Sequence, residues 1–240
     1  MANFRRYIIS LRYSSDDVHV LKNVSFNVKC KEKIGIIGRT GAGKTSLISV
    51  LFRLFHFEGS IVIDNVDTKS VPLTELRSKI TVISQDPFLF LGSLRKNLDP
   101  FGRYNDHQLW TALDEFELKE VVSNLPSGLD SMVSERGSNF SVGQRQLLCL
   151  VRAMLKESKI IVLDEATANV DSETDELIQS SIRKKFKNCT VLTIAHRVNT
   201  VIDSVKILVM DMGLVVEFGQ PHQLLQNREG FFYRYVKKGG

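Results

Sequence analysis

The sequence predicts an α/β fold: a mostly parallel sheet covered by helices, an antiparallel β region ahead of it, and a helical segment inserted into it. Three observations carry that prediction. Apolar runs of strand length alternate with stretches of helical periodicity, the order expected of a parallel sheet with helices on its faces. From about residue 88 to residue 156 the strand pattern gives way to helices and turns. The stretch Gly38-Arg39-Thr40-Gly41-Ala42-Gly43-Lys44-Thr45 fits the phosphate-binding pattern G-x-x-x-x-G-K-[ST], with an apolar run before it and a helical pattern after it.

The 240 residues are 43% hydrophobic and 25% charged, enough for one large domain with a sizeable core. Cys30, Cys149 and Cys189 lie far apart without a C-x-x-C spacing, which argues against a disulfide framework or a zinc site and for a reducing compartment. The net charge is +5 and the isoelectric point about 9.1. The charges are scattered, so they read as a solvated surface rather than a nucleic-acid patch. The run Arg183-Lys184-Lys185 falls late in a predicted helix, where positive charge suits the dipole. No apolar run approaches the roughly 18 to 20 residues that span a bilayer, and the first residues lack a signal-peptide core. The chain is expected to be soluble by itself, which is compatible with its being a piece of a larger membrane protein.

In chain order, residues 7–13 read as a strand, 14–17 as a turn, and 18–21 and 24–28 as two further short strands. Residues 33–37 form the strand that enters the phosphate loop. Leu47, Ile48, Leu51, Leu54 and Phe55 then recur at helical spacing. A turn at Glu58-Gly59-Ser60, a strand at 61–63, a short helix at 73–79 and a buried strand at 80–84 follow, ending at Gln85-Asp86-Pro87. After the helical insertion the core resumes with a strand at 160–163, a helix at 172–186 and a strand at 190–194. A hairpin around Asp211-Met212-Gly213 comes next, and a last short helix follows Pro221.

The residue types explain the chemistry expected of the loop. Glycines let the backbone bend around a phosphate with no Cβ in the way, and the N–H groups at a helix start favour negative charge. Lys44 reaches the terminal phosphates, and the Thr45 hydroxyl ligates Mg²⁺. Downstream, four apolar residues lead into Asp164 and Glu165. By itself that is a buried strand ending at a polar turn. Behind a phosphate loop it places Asp164 beside the metal and Glu165 as general base toward water. Ser141 and Gln144 have the S-x-x-Q spacing of a capping box, so Ser141-Val142-Gly143-Gln144 is either a well-capped helix start or a second phosphate-binding helix end.

Together these residues resemble the nucleotide-binding domain of ABC transporters over essentially the whole chain. The resemblance implies a RecA-like P-loop NTPase core at 1–87 and 157–240 with a helical subdomain at 88–156, and ATP and Mg²⁺ as ligands. Gly38, Arg39, Thr40, Gly41, Ala42, Gly43, Lys44, Thr45 and Ser46 then form the Walker A region, and residues 160–164 the Walker B strand. Ser141, Val142, Gly143 and Gln144 match the signature. Gln85 matches the Q-loop residue that touches Mg²⁺ and the attacking water. Residues 168–171, ending at Asp171, match the D-loop, His196 the switch histidine, and Tyr13 the aromatic that stacks on adenine. Ser134-Glu135-Arg136-Gly137 resembles the exporter segment that meets the coupling helices.

Val142 stands where the family normally has glycine, and this departure resembles the second nucleotide-binding domain of the C subfamily, the multidrug-resistance-associated proteins, their type 4 group among them. The implied function is an ATPase driving export of organic anions, conjugates or drugs. Its implied partners are transmembrane domains and a second nucleotide-binding domain, and nucleic acid is not among them. The implied location is the cytoplasmic face of a membrane, such as the plasma membrane, with the isolated domain monomeric or weakly dimeric. The same subfamily contains channels and channel regulators, so an ATP-dependent gating module remains the alternative. An ABC ATPase acting on DNA or ribosomes is disfavoured, because the insertion is too short for a coiled-coil arm.

Overall fold

A computed structural model of the chain describes residues 4–5, 9–14, 18–166, 170–195 and 197–238. Its elements run in order as β1 (Phe4–Arg5), β2 (Ile9–Leu11), β3 (Leu21–Val24), β4 (Lys33–Gly38), α1 (Lys44–Leu51), β5 (Phe57–Glu58), β6 (Val62–Ile63), β7 (Val66–Asp67), α2 (Leu73–Lys79) and β8 (Ile80–Ile83). The insertion holds β9 (Gly92–Ser93), α3 (Leu94–Leu98), α4 (Asp106–Asp114), α5 (Lys119–Ser123), β10 (Met132–Val133) and α6 (Val142–Leu155). The chain then continues through β11 (Ile160–Asp164), α7 (Ser172–Lys185), β12 (Thr190–Ile194), β13 (Lys206–Asp211), β14 (Leu214–Gly219), α8 (Pro221–Gln226) and α9 (Phe231–Lys237).

The residues pack as two compact units, each described by itself. The first comprises residues 1–81, 159–165 and 188–240, and the second 82–158 and 166–187. The sequence reading assigned all of 157–240 to the core. Residues 166–187 instead group with the insertion, because α7 packs on α6. Gly143 makes that packing close, since a Cβ there would lie 2.4 Å from the Thr174 methyl.

In the first unit the central sheet has the order β14-β13-β4-β12-β11-β8. β13, β4, β12 and β11 run parallel, and β14 returns antiparallel at the edge. Residues 160–163 are buried without a break, as strands covered on both faces must be. Two small antiparallel sheets, β3-β2-β5 and β1-β6-β7, confirm the antiparallel region. One core joins Leu11, Leu21, Ile36, Leu47, Val162 and Leu192.

Some boundaries differ. A single strand, β3, replaces the two expected at 18–21 and 24–28. Asn23 within it takes φ 51°, and the Ser10 hydroxyl accepts from its N–H at 3.2 Å where the pairing with β2 shifts register. Of the strand expected at 7–13, residues 9–11 pair, and 7 and 8 lie outside the described residues. Helix α1 stops at Leu51, leaving Leu54 and Phe55 exposed. The stop is a Schellman turn in which Leu54 N–H reaches Ser49 O (2.9 Å) and Arg53 N–H reaches Val50 O (2.9 Å), with Arg53 at φ 49°. A left-handed non-glycine residue costs roughly 1–2 kcal/mol. The Arg53 guanidinium offsets it by donating to Thr68 O (2.8 Å) and Val71 O (2.6 Å). At the C-terminus α9 follows the expected helix at α8 and was not foreseen.

In the second unit α6 is the axis, packed by α3, α4 and α7. The insertion is helical as expected but also carries the antiparallel pair β9–β10. Among the described residues no helix is long and apolar enough to cross a membrane.

Candidate functional site

The first unit gathers the phosphate loop, Tyr13, Asp164 and Glu165. The loop joins β4 to α1, and it is most crowded where it leaves the strand. A Cβ on Gly38 would lie 2.3 Å from Met210 O. Gly43 is the N-cap of α1 at φ 99°, and no side chain caps the helix. Its first N–H groups therefore stay open to an anion. Gly41 has no neighbour within 4 Å of where a Cβ would stand, so the loop opens there. The far side is braced by the hairpin turn after β13, where Gly213 N–H donates to Ala42 O at 3.1 Å.

Lys44 is only 6% exposed and folds over its own loop. Its Nζ donates to Gly38 O at 2.8 Å and to Arg39 O at 3.1 Å. Burial pulls its pKa below the ordinary lysine value, and the negative fields of Glu165 and Asp164 oppose that pull. An ammonium held this way lacks water and gains from a phosphate. Thr45 is exposed, whereas Ser46 is buried and bonds the Tyr13 hydroxyl at 2.8 Å. Tyr13 also stands edge-on to Phe55, with ring centroids 4.7 Å apart, and the two rings line a cavity of about 420 Å³. So Tyr13 touches the first turn of α1 and keeps an exposed aromatic face.

β11 delivers the carboxylates. Asp164 is paired with Ile194 in parallel register. Glu165 leaves the strand at φ 52° while its N–H bonds Ile194 O at 3.0 Å. A left-handed φ at a non-glycine residue is strained backbone, of a kind that clusters at chemical sites.

The second unit holds Gln85 and the signature. Gln85 is exposed in the turn after β8, and the buried Gln146 of α6 donates to the preceding carbonyl, Ser84 O, at 3.1 Å. The capping box is formed in full: Gln144 N–H donates to Ser141 Oγ (3.1 Å) and Ser141 N–H to Gln144 Oε1 (3.0 Å). Val142, half-buried, is the first residue of α6. Asp171 caps α7, accepting from Thr174 N–H at 2.9 Å and from the Thr174 hydroxyl at 2.8 Å. Those bonds hold its carboxyl below the usual range. Residues 134–137 form a single turn, exposed at 134–136, and Arg145 donates to Gly137 O at 3.4 Å and to Phe140 O at 2.7 Å. Residues 167–169 and His196 lie outside the described residues.

The residues fit a hard cation carried with a nucleotide. Thr45 and Asp164 offer oxygen donors, and among the described residues no trio of His, Cys, Asp or Glu is gathered to cage a metal unaided. Mg²⁺ is commonly held by one or two protein oxygens plus phosphates and water. Sequence reasoning missed the contacts of Gly213 with Ala42 and of Phe55 with Tyr13. Both contacts are distant in sequence, and only the turn at Asp211-Met212-Gly213 left a local trace.

Comparison with known proteins places the chain in a family. Residues 21–168 match the family described as ABC transporter. The chain is 55% identical over 232 residues to mouse ATP-binding cassette sub-family C member 4, covering 97% of this chain and 18% of that protein. It is 55% identical over 235 residues to the Drosophila melanogaster probable multidrug resistance-associated protein lethal(2)03659, covering 97% of this chain and 17% of that protein. It thus spans less than a fifth of the length of these curated relatives. A solved bacterial Atm1-family ABC exporter with ATP bound superposes with a TM-score of 0.90 at 31% identity, over 99% of this chain and 42% of that one.

Proposed function

The chain belongs to the ABC transporter family, as an ATP-binding and ATP-hydrolysing domain of the kind found in C-subfamily exporters, and from that premise we propose how its residues divide the work. One observation carries the reading: an uncapped helix start at Gly43, with Lys44 buried over it in the field of two carboxylates.

The N–H groups of residues 41–45 and the Lys44 ammonium hold the β- and γ-phosphates. Tyr13 offers its exposed ring to adenine. Thr45 and Asp164 hold Mg²⁺, with Gln85 assigned to the same ion by its family position. Mg²⁺, when bound, neutralises charge on the phosphates. Glu165 takes the proton from the attacking water. His196 contacts the γ-phosphate, and Asp171 belongs to the segment facing the partner domain.

The signature Ser141, Val142, Gly143 and Gln144 serves the site of a second nucleotide-binding domain, paired head to tail. Val142 places a branched side chain where backbone should approach phosphate, which weakens that partner site. The whole protein is a membrane exporter of organic anions, conjugates or drugs, with this domain at the cytoplasmic face of the plasma membrane. The isolated domain is a monomer or weak dimer that acts without nucleic acid. Glu165→Gln tests the assignment: turnover in the full protein should fall by about 10² to 10⁴, the worth of a general base, while ATP affinity holds. Unchanged turnover would remove Glu165 from the mechanism.

A further inference from the structure

Phe55 is a large apolar side chain left 44% exposed, just past the turn that ends α1. Its neighbour across the sheet gives it a task. β2 pairs antiparallel with β5, Leu11 opposite Phe57 and Ser10 opposite Glu58. Continuing that register by two residues sets Tyr13 opposite Phe55, as a cross-strand aromatic pair. The rings meet edge to face at 81°, with centroids 4.7 Å apart. Aromatic quadrupoles favour that arrangement. At its other end the Tyr13 hydroxyl meets Ser46 Oγ at 2.8 Å. Tyr13 is thus held at two points, by its ring and by its hydroxyl. Both holds belong to one helix: Ser46 lies in the first turn of α1, and Phe55 follows the turn that stops it. The phosphate loop leads into the start of that same helix. Helix α1 therefore fixes the Tyr13 ring relative to the loop, and both rings line one open cavity of about 420 Å³.

We propose that Phe55 is a positioning residue for the nucleotide base: it holds the Tyr13 ring in the orientation that stacks on a purine, while Ser46 fixes the hydroxyl end. Without Phe55 the ring turns about its side-chain bonds and the competent orientation is populated less. Apparent affinity then falls by that fraction. The inference rests on Tyr13 stacking on adenine.

The test titrates the chain by calorimetry with Mg-ATP and, separately, with Mg-tripolyphosphate, which has the phosphates without the base. Phe55→Ala should weaken ATP binding about two- to tenfold, the worth of an aromatic pair. Its affinity for tripolyphosphate should stay at the wild-type value. Phe55→Tyr keeps a ring and should restore ATP binding. Tyr13→Ala should weaken ATP binding, and adding Phe55→Ala to it should cost nothing more. Equal losses for ATP and tripolyphosphate in Phe55→Ala overturn the proposal, because the end of α1 is then disturbed as a whole. So does a Phe55→Tyr variant as weak as Phe55→Ala. A Phe55→Ala loss that persists in the Tyr13→Ala background overturns it too, since Phe55 then acts without Tyr13. A weakened Tyr13→Ala variant beside an unaffected Phe55→Ala variant sinks Phe55 alone. If Tyr13→Ala binds ATP like wild type, the stacking assignment fails first and takes this proposal with it.

Discussion

Two helices of this molecule begin at residues expected to meet phosphate, and they begin in opposite ways. α1 starts at Gly43, left-handed and without a side-chain cap. α6 starts at Ser141 inside a complete capping box. Both ends carry the positive pole of a helix. At α1 the orphan N–H groups have no protein partner in a cap, so a ligand is their natural acceptor. At α6 the Ser141 oxygen already accepts from Gln144 N–H, and the Gln144 side chain accepts from Ser141 N–H. A phosphate that takes the Gln144 N–H at α6 must displace a bond the protein makes to itself, whereas one arriving at α1 satisfies groups left open. The open end suits this chain's own nucleotide. Under the proposed function the self-satisfied end serves an acceptor delivered by a partner.

Removing the charge at the open end should break this contrast most severely. Lys44→Ala deletes charge-assisted hydrogen bonds worth about 1.5–3 kcal/mol. ATP affinity, read by calorimetric titration, should fall roughly ten- to a hundredfold, and an unchanged isotherm would mean the nucleotide does not use this end. Ser141→Ala sharpens the other half with a smaller effect. It should lower unfolding stability by about 1 kcal/mol, the typical worth of a cap, as read by urea denaturation. Binding of ATP by the lone chain should not change, and weakened binding would show that the two ends are not separate in role.

Much of this contrast was legible in the sequence, because both helix starts are local. The glycine spacing before Lys44 and the Ser141–Gln144 spacing each report a short-range arrangement, and the apolar runs of β4, β11 and β12 report burial directly. What escaped was made by contacts across the chain. Arg53, with no glycine to mark it, ends α1 because Thr68 O and Val71 O hold its guanidinium. Gly143 looks like a signature glycine, yet here its lack of a Cβ also lets Thr174 approach, which draws α7 to α6 and moves residues 166–187 out of the core assignment. Gly213 bracing Ala42 depends on how distant parts of the chain align, which no local pattern encodes.

The central claim is that this chain's own nucleotide end is α1. Amide hydrogen exchange on the chain alone, with and without Mg-ATP, tests it most directly. Exchange should slow at residues 41–45 and stay unchanged at residues 142–144. Slowing at 142–144 with none at 41–45 would contradict the account.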